Sequence, residues 1–198
     1  MNLVYINSAN GLSKAALETV TYAKKLGAEV AVITNGTASA DQLASLGAYG
    51  ASTVLQDSSV DGQDPSQLVK MVAAAAQKVG ASSIIFSHDL IGKAVAPRLS
   101  VRIKAGLVAG AVALPEANGS IQVNVFSGKA FGYVSVNSSV RIISLLPNSI
   151  QPEQTGSNCG VEAFDSQAGS SAITVKATKK PEGAIPLPEA ELVVSAGR

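Results

Sequence analysis

The sequence predicts an α/β fold, a three-layer α/β/α sandwich with a mostly parallel central sheet and an antiparallel β extension. Over about the first hundred residues, strand-like and helix-like segments alternate, as they do in a parallel sheet with helices on both faces. Residues 82–86 are a short, β-branched run, which is typical of a strand covered on both faces. After Ala105 the rhythm changes to strand-like runs joined by short polar turns, which predicts the antiparallel part.

Three strands and two helices are expected in the first part of the chain. The strands are apolar, and polar residues or glycines follow them. Ser13 and Ser39 belong to the residue types that cap helix N-termini, and Gly27 is placed to end the first helix. The predicted strands are residues 2–7, 29–34 and 53–56.

A polar loop then leads to Pro65, which suits the first turn of a helix that runs to about Val79. Strand 82–86 follows, and the next helix is expected to begin near Gly92. This start places Pro97 in the first turn, where a proline has no intrahelical hydrogen bond to lose. An earlier start would put Pro97 inside the helix and kink it.

The extension is predicted from runs with alternating apolar residues, and Asn118-Gly119 is the clearest turn between them. The last run is continuously apolar and is expected to rejoin the central sheet. The runs are residues 107–114, 120–126, 130–136 and 140–146.

The rest of the chain is less regular. Residues 151–170 are rich in Gly, Ser, Asn and Gln and are predicted to be a long loop. Residues 172–178 are expected to form one more strand, and a linker with several prolines leads to a final strand at residues 192–194. That final strand has no predicted neighbour in this chain, so it is expected to dangle or to pair elsewhere.

Composition bounds the class of protein. The chain has 198 residues, of which 46% are hydrophobic, enough to bury the core of one soluble domain. Fifteen basic and fourteen acidic side chains, with few aromatics, argue against a nucleic-acid partner. The longest apolar run, residues 105–114, is shorter than the roughly 20 residues of a membrane span.

The cellular location is predicted from the start of the chain and its cysteine content. A strand-like segment begins at Leu3, which leaves no room for an export signal. The single cysteine, Cys159, has no partner for an internal disulfide and is interpreted as an inert surface or half-buried thiol. Both features favour a cytoplasmic location.

Motifs of catalysis are absent from the sequence, including the phosphate loop and the nucleophile turn of hydrolases. His88 is the sole histidine and stands beside Asp89 in the loop after a predicted strand. The favoured interpretation is a loop residue hydrogen-bonded to backbone, because no partner nucleophile is identifiable. A small hydrolase that uses His88 is the less favoured alternative. One histidine and one distant cysteine predict no metal site.

Gly92 and Lys93 are the candidate anion site. Free amides at a helix start, together with the helix dipole, favour negative charge such as a nucleotide phosphate. On this hypothesis the chain is a free-standing nucleotide-binding module of the stress-protein kind, and AMP is a candidate ligand. The alternative is an ordinary helix start, in which Lys93 and Arg98 are solvent-facing or interface charges.

Three segments carry a resemblance to one family. Residues 92–99, Gly-Lys-Ala-Val-Ala-Pro-Arg-Leu, resemble a segment of the electron-transfer flavoprotein alpha subunit, amino-terminal domain, and residues 105–108, Ala-Gly-Leu-Val, follow at the family's spacing. Residues 191–198, Glu-Leu-Val-Val-Ser-Ala-Gly-Arg, resemble the start of the family's second, flavin-carrying domain. The resemblance implies an amino-terminal domain over residues 1–190 and a truncated start of the flavin-binding domain over residues 191–198.

The resemblance also implies a function. The family's fold is of the adenine nucleotide alpha hydrolase type, and its alpha and beta subunits form a heterodimer. That heterodimer takes electrons from dehydrogenases, such as those acting on acyl-CoA in fatty acid oxidation, and passes them to a respiratory or other acceptor. The chain is thus expected to be an electron carrier subunit and not an enzyme, and its domain to be mainly scaffold.

Cofactor and partner expectations follow from the same resemblance. Arg198 matches an arginine that lies against FAD, so it is expected to contact FAD in the intact two-domain protein, while this chain alone is not expected to bind FAD tightly. The family's beta subunit holds AMP near the corresponding loop. The beta subunit is the expected partner, with dehydrogenases reached through the complex. In isolation the chain is expected to self-associate as a homo-oligomer.

Overall fold

The computed structural model describes residues 1–9, 11–177, 187, 190 and 192–197. Four α-helices lie in this part of the chain: α1 (Lys14–Lys25), α2 (Ala40–Ala44), α3 (Pro65–Val79) and α4 (Leu90–Ile103). The strands are β1 (Asn2–Asn7), β2 (Val30–Asn35), β3 (Thr53–Asp57), β4 (Ser83–Ser87), β5 (Gly106–Ala111), β6 (Ile121–Val125), β7 (Ala130–Val134), β8 (Arg141–Leu145) and β9 (Gly160–Ala163).

The strands form one sheet in the order β7-β6-β5-β8-β4-β1-β2-β3-β9. Along this order, the seven strands β5, β8, β4, β1, β2, β3 and β9 pair in parallel. Strand β6 is antiparallel to both β5 and β7. The predicted α/β fold, with a mostly parallel sheet and an antiparallel extension, is therefore confirmed. The last run of the meander does rejoin the central sheet, since β8 lies between β4 and β5.

The core lies on both faces of the sheet. Side chains of a strand point alternately to its two faces, so an interior strand needs apolar residues at every position. In β1, Leu3 and Tyr5 pack with α3 and α4, whereas Val4 and Ile6 pack with α1 and α2. Two clusters of buried side chains thus cover the two faces, which makes the structure a three-layer sandwich.

The predicted caps of the helices are present. Ser13 Oγ accepts a hydrogen bond from the Ala16 amide at the start of α1, and Ser39 forms a capping box with Gln42 at the start of α2. Pro65 is the first residue of α3, and the Asp64 side chain caps that helix. The caps at Ser13 and Ser39 could be predicted because each depends on residues only three positions apart, whereas the cap at Asp64 was not predicted.

The predicted start of α4 at Gly92 is wrong. The helix begins at Leu90 with Asp89 as its cap, so Pro97 lies inside the helix. Pro97 has no N–H for the carbonyl of Lys93, but its ring is on the exposed side, and the buried side of the helix still packs on the core. The cap of Asp89 and this packing outweigh the lost hydrogen bond.

Two further predictions for the second half are wrong. Residues 172–177 and 192–197, which include most of two expected strands, have no regular secondary structure. Conversely, β9 lies inside the expected loop 151–170 and pairs in parallel with β3. A strand exists only where a neighbour supplies hydrogen bonds, and that neighbour is chosen by the tertiary fold. Thr178, Arg198 and most of the linker lie outside the described residues.

Candidate functional site

The order in which strands are added to the sheet reverses at β1. Strands β2 and β3 lie on one side of β1, and the next strand in the chain, β4, lies on its other side. In open α/β sheets, ligands bind at this switch point, in the crevice beyond the carboxyl ends of the strands. Here the crevice lies between the ends of β1 and β4, beside the start of α4. The candidate anion site predicted from the sequence, Gly92 and Lys93, lies in the first turn of this helix.

The amides of the candidate anion site already have partners. The Gly92 N–H donates to Oδ1 of Asp89 at 2.8 Å, and the Lys93 N–H donates to the main-chain carbonyl of Asp89 at 2.9 Å. The Asp89 carboxylate therefore occupies the position that an incoming anion would take at this helix start, and its charge opposes that anion.

Gly92 has a steric reason to be glycine. A Cβ built on Gly92 would overlap the carbonyl oxygen of Ser87, which is main chain and cannot swing away. The close approach of helix α4 to the end of β4 thus requires this glycine. The Lys93 side chain is exposed to solvent.

The crevice itself is small. It encloses about 40 Å³ and is lined mainly by polar side chains, including Asn7, Ser13, Ser87 and Asp89. That volume accommodates about one water molecule, whereas pockets for small-molecule ligands measure roughly 300–1,000 Å³. Oγ of Ser87 is buried there without a hydrogen-bond partner among the described residues. Side chains of the described residues thus fill most of the switch point.

His88 connects two strands. Its main-chain N–H donates to the carbonyl of Leu145 at 2.7 Å, and its Nδ1 lies 2.9 Å from Oγ of Ser144. The Gly110 N–H also donates to that serine oxygen at 3.2 Å. Gly110 lies at an irregularity in the pairing of β5 with β8. His88 thus fastens the end of β4 to β8 at the point where β5 bulges.

Ser144 is the partner of His88 that sequence reasoning missed. It lies 56 positions further along the chain and comes close only because β4 and β8 pair in parallel. Ser144 is 2% exposed, so a substrate cannot reach its hydroxyl in this structure. Burial lowers the pKa of His88, the nearby Lys93 lowers it further, and Asp89 opposes both effects. His88 and the buried Ser144 thus link β4 to β8 in this structure.

Cys159 is half-buried in the segment that leads into β9. Its N–H donates to the carbonyl of Ala44 at 3.0 Å, and its Sγ lies 3.5 Å from the same oxygen. Burial raises the pKa of the thiol, so the reactive thiolate is disfavoured at neutral pH. The position suits an unreactive thiol that fixes β9 against α2.

Exposed aromatic side chains mark the antiparallel extension. Phe131 and Tyr133 are two residues apart on β7 and are therefore on the same face of the strand; they are 61% and 56% exposed. Phe126, at the turn between β6 and β7, is 80% exposed and has a left-handed backbone with φ of 51°. We call these three residues the aromatic patch. Large exposed apolar groups of this kind are typical of interaction surfaces.

Metal-binding clusters and membrane-spanning helices were sought in the described part of the chain. In it, no group of three or more His, Cys, Asp or Glu side chains comes together in a way that would hold a metal ion. None of the helices found there combines the length and apolar character that crossing a bilayer requires. Arg198, the residue matched to a flavin contact, lies outside the described residues.

The fold and the crevice, as the described residues form it, define a class: a doubly wound α/β/α domain whose switch point has space for only about one water molecule. Comparison with known proteins identifies the family. The family model described as "Electron transfer flavoprotein domain" matches residues 2–179, so the chain belongs to the electron transfer flavoprotein domain family. The predicted resemblance is confirmed.

Curated relatives agree with this family. The chain is 26% identical over 157 residues to the electron transfer flavoprotein subunit alpha of Bacillus subtilis, which covers 76% of this chain and 48% of that protein. It is 26% identical over 203 residues to the subunit alpha of Syntrophomonas wolfei, which covers 98% of this chain and 64% of that protein. The chain thus spans about half to two thirds of the length of these relatives.

Proposed function

We propose that this chain is the amino-terminal scaffold domain of an electron-transfer flavoprotein alpha subunit and that it pairs with a beta subunit. In this proposal the complete complex takes electrons from dehydrogenases, such as those acting on acyl-CoA, and delivers them to a respiratory or other acceptor. Family membership and the names of the relatives support the electron-transfer role. The chain itself carries out no catalytic step.

We further propose that residues 1–190 are the amino-terminal domain and that residues 191–198 begin a flavin-binding domain. The family match over residues 2–179 falls within the proposed amino-terminal domain, and both relatives are longer than this chain. In the intact protein, the Arg198 guanidinium would supply positive charge next to FAD, where it would stabilise a reduced, anionic flavin. We propose a cytoplasmic location for the complex.

The observation that carries the scaffold role is the filled switch point. As the described residues form it, the crevice has about 40 Å³ of space and a carboxylate at the helix start, and that space is far smaller than the pockets that hold a nucleotide or a flavin. We infer that the domain contributes by holding other parts of the complex in place. Its surfaces are then the functional features, and in the described strands the exposed large apolar side chains are Phe131 and Tyr133 of the aromatic patch.

Replacing the two strand aromatics, as Phe131→Ser with Tyr133→Ser, is expected to weaken binding of the beta subunit at least about tenfold. Aromatic side chains supply much of the energy of protein interfaces because they bury large apolar areas. The affinity of the chain for the cognate beta subunit is measured by calorimetry. The same variant is expected to reduce self-association of the isolated chain in light scattering.

Leu90→Ser is the matched control, since Leu90 is 86% exposed but lies on α4 and outside the extension. Binding by this control is expected to stay within about twofold of the original chain. Equal weakening by both variants would contradict the assignment of the interface to the aromatic patch. Failure of the unaltered chain to bind any beta subunit would contradict the proposed function itself.

The alternative function is a free-standing nucleotide-binding module that uses Gly92 and Lys93. One observation favours it, because the candidate site does lie at the switch point beside the start of a helix. The filled crevice weighs against it. Titration with AMP and with ATP is expected to leave the melting temperature unchanged, whereas a shift of several degrees that saturates with nucleotide would establish the alternative.

A further inference from the structure

A groove runs between the exposed sides of α3 and α4. It contains two adjoining cavities of about 470 and 370 Å³, which share Lys70 on α3 and Arg102 on α4 as lining residues. The smaller cavity is also lined by Arg98 and Val101. Each of the two cavities is about ten times larger than the switch-point crevice, and neither the candidate anion site nor the aromatic patch includes them.

The groove is cationic. Lys70, Arg98 and Arg102 line it, and among the described residues none of its lining positions is Asp or Glu. No carboxylate within the described ranges lies at ion-pairing distance from these three cations, whereas Lys25 and Lys78 pair with Glu153 and Glu162. Because the whole chain has a formal net charge of only +1, this local excess of positive charge is a property of the groove and not of the surface in general.

The shape of the groove favours a polypeptide over a small molecule. Pockets for small ligands enclose most of the ligand surface, whereas this groove is open to solvent along its length and its cationic residues are exposed. Ala73 and Ala76 line the larger cavity, and we call them the alanine floor, so an occupant also meets apolar side chains there. An occupant that matches the groove therefore carries carboxylates along its edges and small apolar side chains between them.

We propose that the α3–α4 groove is a docking site for an acidic, amphipathic segment of a partner protein. Carboxylates of the segment would pair with Lys70, Arg98 and Arg102, and its apolar side chains would cover the alanine floor. The charges mainly steer the partner and select it, and the covered floor adds hydrophobic contact. This site is additional to the proposed beta-subunit surface, so the two can be lost separately.

The probe for this site is a fluorescein-labelled synthetic helix with glutamates on one face and alanine and leucine on the other. Binding to the full 198-residue chain is measured by fluorescence anisotropy at low and at physiological salt. Lys70→Glu with Arg102→Glu is expected to weaken binding at least about tenfold. The control, Lys129→Glu with Lys176→Glu, makes the same change in net charge at exposed positions outside the groove and is expected to have less than about a twofold effect.

Neutral variants at the same positions, Lys70→Gln with Arg102→Gln, keep the experiment decisive if the charge reversal fails to fold. They are expected to weaken binding about fivefold with an unchanged circular dichroism spectrum. Equal weakening by the groove and control variants, or no binding by the original chain, would overturn the proposal. So would displacement of the helix by inorganic phosphate at constant ionic strength, because that result would indicate a small-anion site. None of these results depends on the beta subunit, so they leave the proposed function unaffected.

Discussion

Gly92→Ala is expected to lower the free energy of unfolding by about 3 kcal/mol. The new methyl group would overlap the Ser87 carbonyl oxygen, so the start of α4 and the end of β4 must move apart. Helix propensity predicts the opposite sign, because alanine is favoured over glycine inside a helix by about 1 kcal/mol. The direction of the change therefore distinguishes the close approach in this structure from an ordinary helix start.

The measurement is urea unfolding followed by circular dichroism, which gives the free energy of unfolding from the midpoint and slope. Gly160→Ala is the matched control, since a Cβ built there meets no atom within 4 Å and its φ is not positive. The control is expected to change the free energy by less than about 0.5 kcal/mol. A Gly92→Ala protein as stable as the original would mean that α4 does not approach β4 as closely as described.

Asp57→Ala is expected to cost about 3 kcal/mol, because the buried Asp57 carboxylate joins two distant parts of the chain. Its Oδ1 accepts hydrogen bonds from the amide and hydroxyl of Ser59, at 3.0 and 2.6 Å. Its Oδ2 accepts from the amide and hydroxyl of Ser166, at 2.9 and 2.5 Å. Without the carboxylate, four donors lose their acceptor, and the segment that follows β9 loses two of its hydrogen bonds to the end of β3.

The contribution of Asp57 to the free energy of unfolding is expected to depend on pH. Burial alone would raise the pKa of this carboxyl group, but the hydrogen bonds from Ser166 and Ser59 together outweigh burial and hold the pKa below its ordinary value. A lowered pKa in the folded state contributes stability that is complete above the ordinary pKa of about 4 and is lost as pH falls through the folded value. The hydrogen bond from Ser171 likewise lowers the pKa of Asp64.

The test compares the free energy of unfolding of the original chain and of Asp57→Ala from about pH 7 down to about pH 3. The difference between them is expected to shrink as the solution becomes more acidic. Asp61→Ala serves as the control, since Asp61 is exposed and accepts only the Gln63 amide among the hydrogen bonds found for its side chain. A difference that stays constant with pH would contradict the role of the charged form of Asp57.

Sequence patterns were sufficient wherever a structure depends on neighbours in the chain. The caps at Ser13 and Ser39 and the proline at the start of α3 were predicted because each involves residues within one helical turn. The buried parallel strands were predicted because a strand that is covered on both faces needs apolar residues at nearly every position. The start of α4 was predicted two residues late because the prediction rested on Pro97, whereas in the structure the Asp89 side chain caps the helix at Leu90.

The candidate site depended on contacts that sequence spacing does not reveal. Nothing in the chain order connects His88 with Ser144, or Asp57 with Ser166, until strand pairing brings them together. The steric role of Gly92 likewise requires the distance between a helix and a strand end. The small size of the crevice could be learned only from the packed side chains around it.

The amino-acid sequence by itself determined the layered α/β fold and the family of this protein, because apolar periodicity and short motifs are local properties of the chain. The tertiary structure alone decided which strands exist at the edges of the sheet, as with β9, and whether the switch point is open or filled. It also brought cations from two helices into one groove. These features depend on which surfaces meet after folding, and that choice is made by the free energy of the whole packed chain.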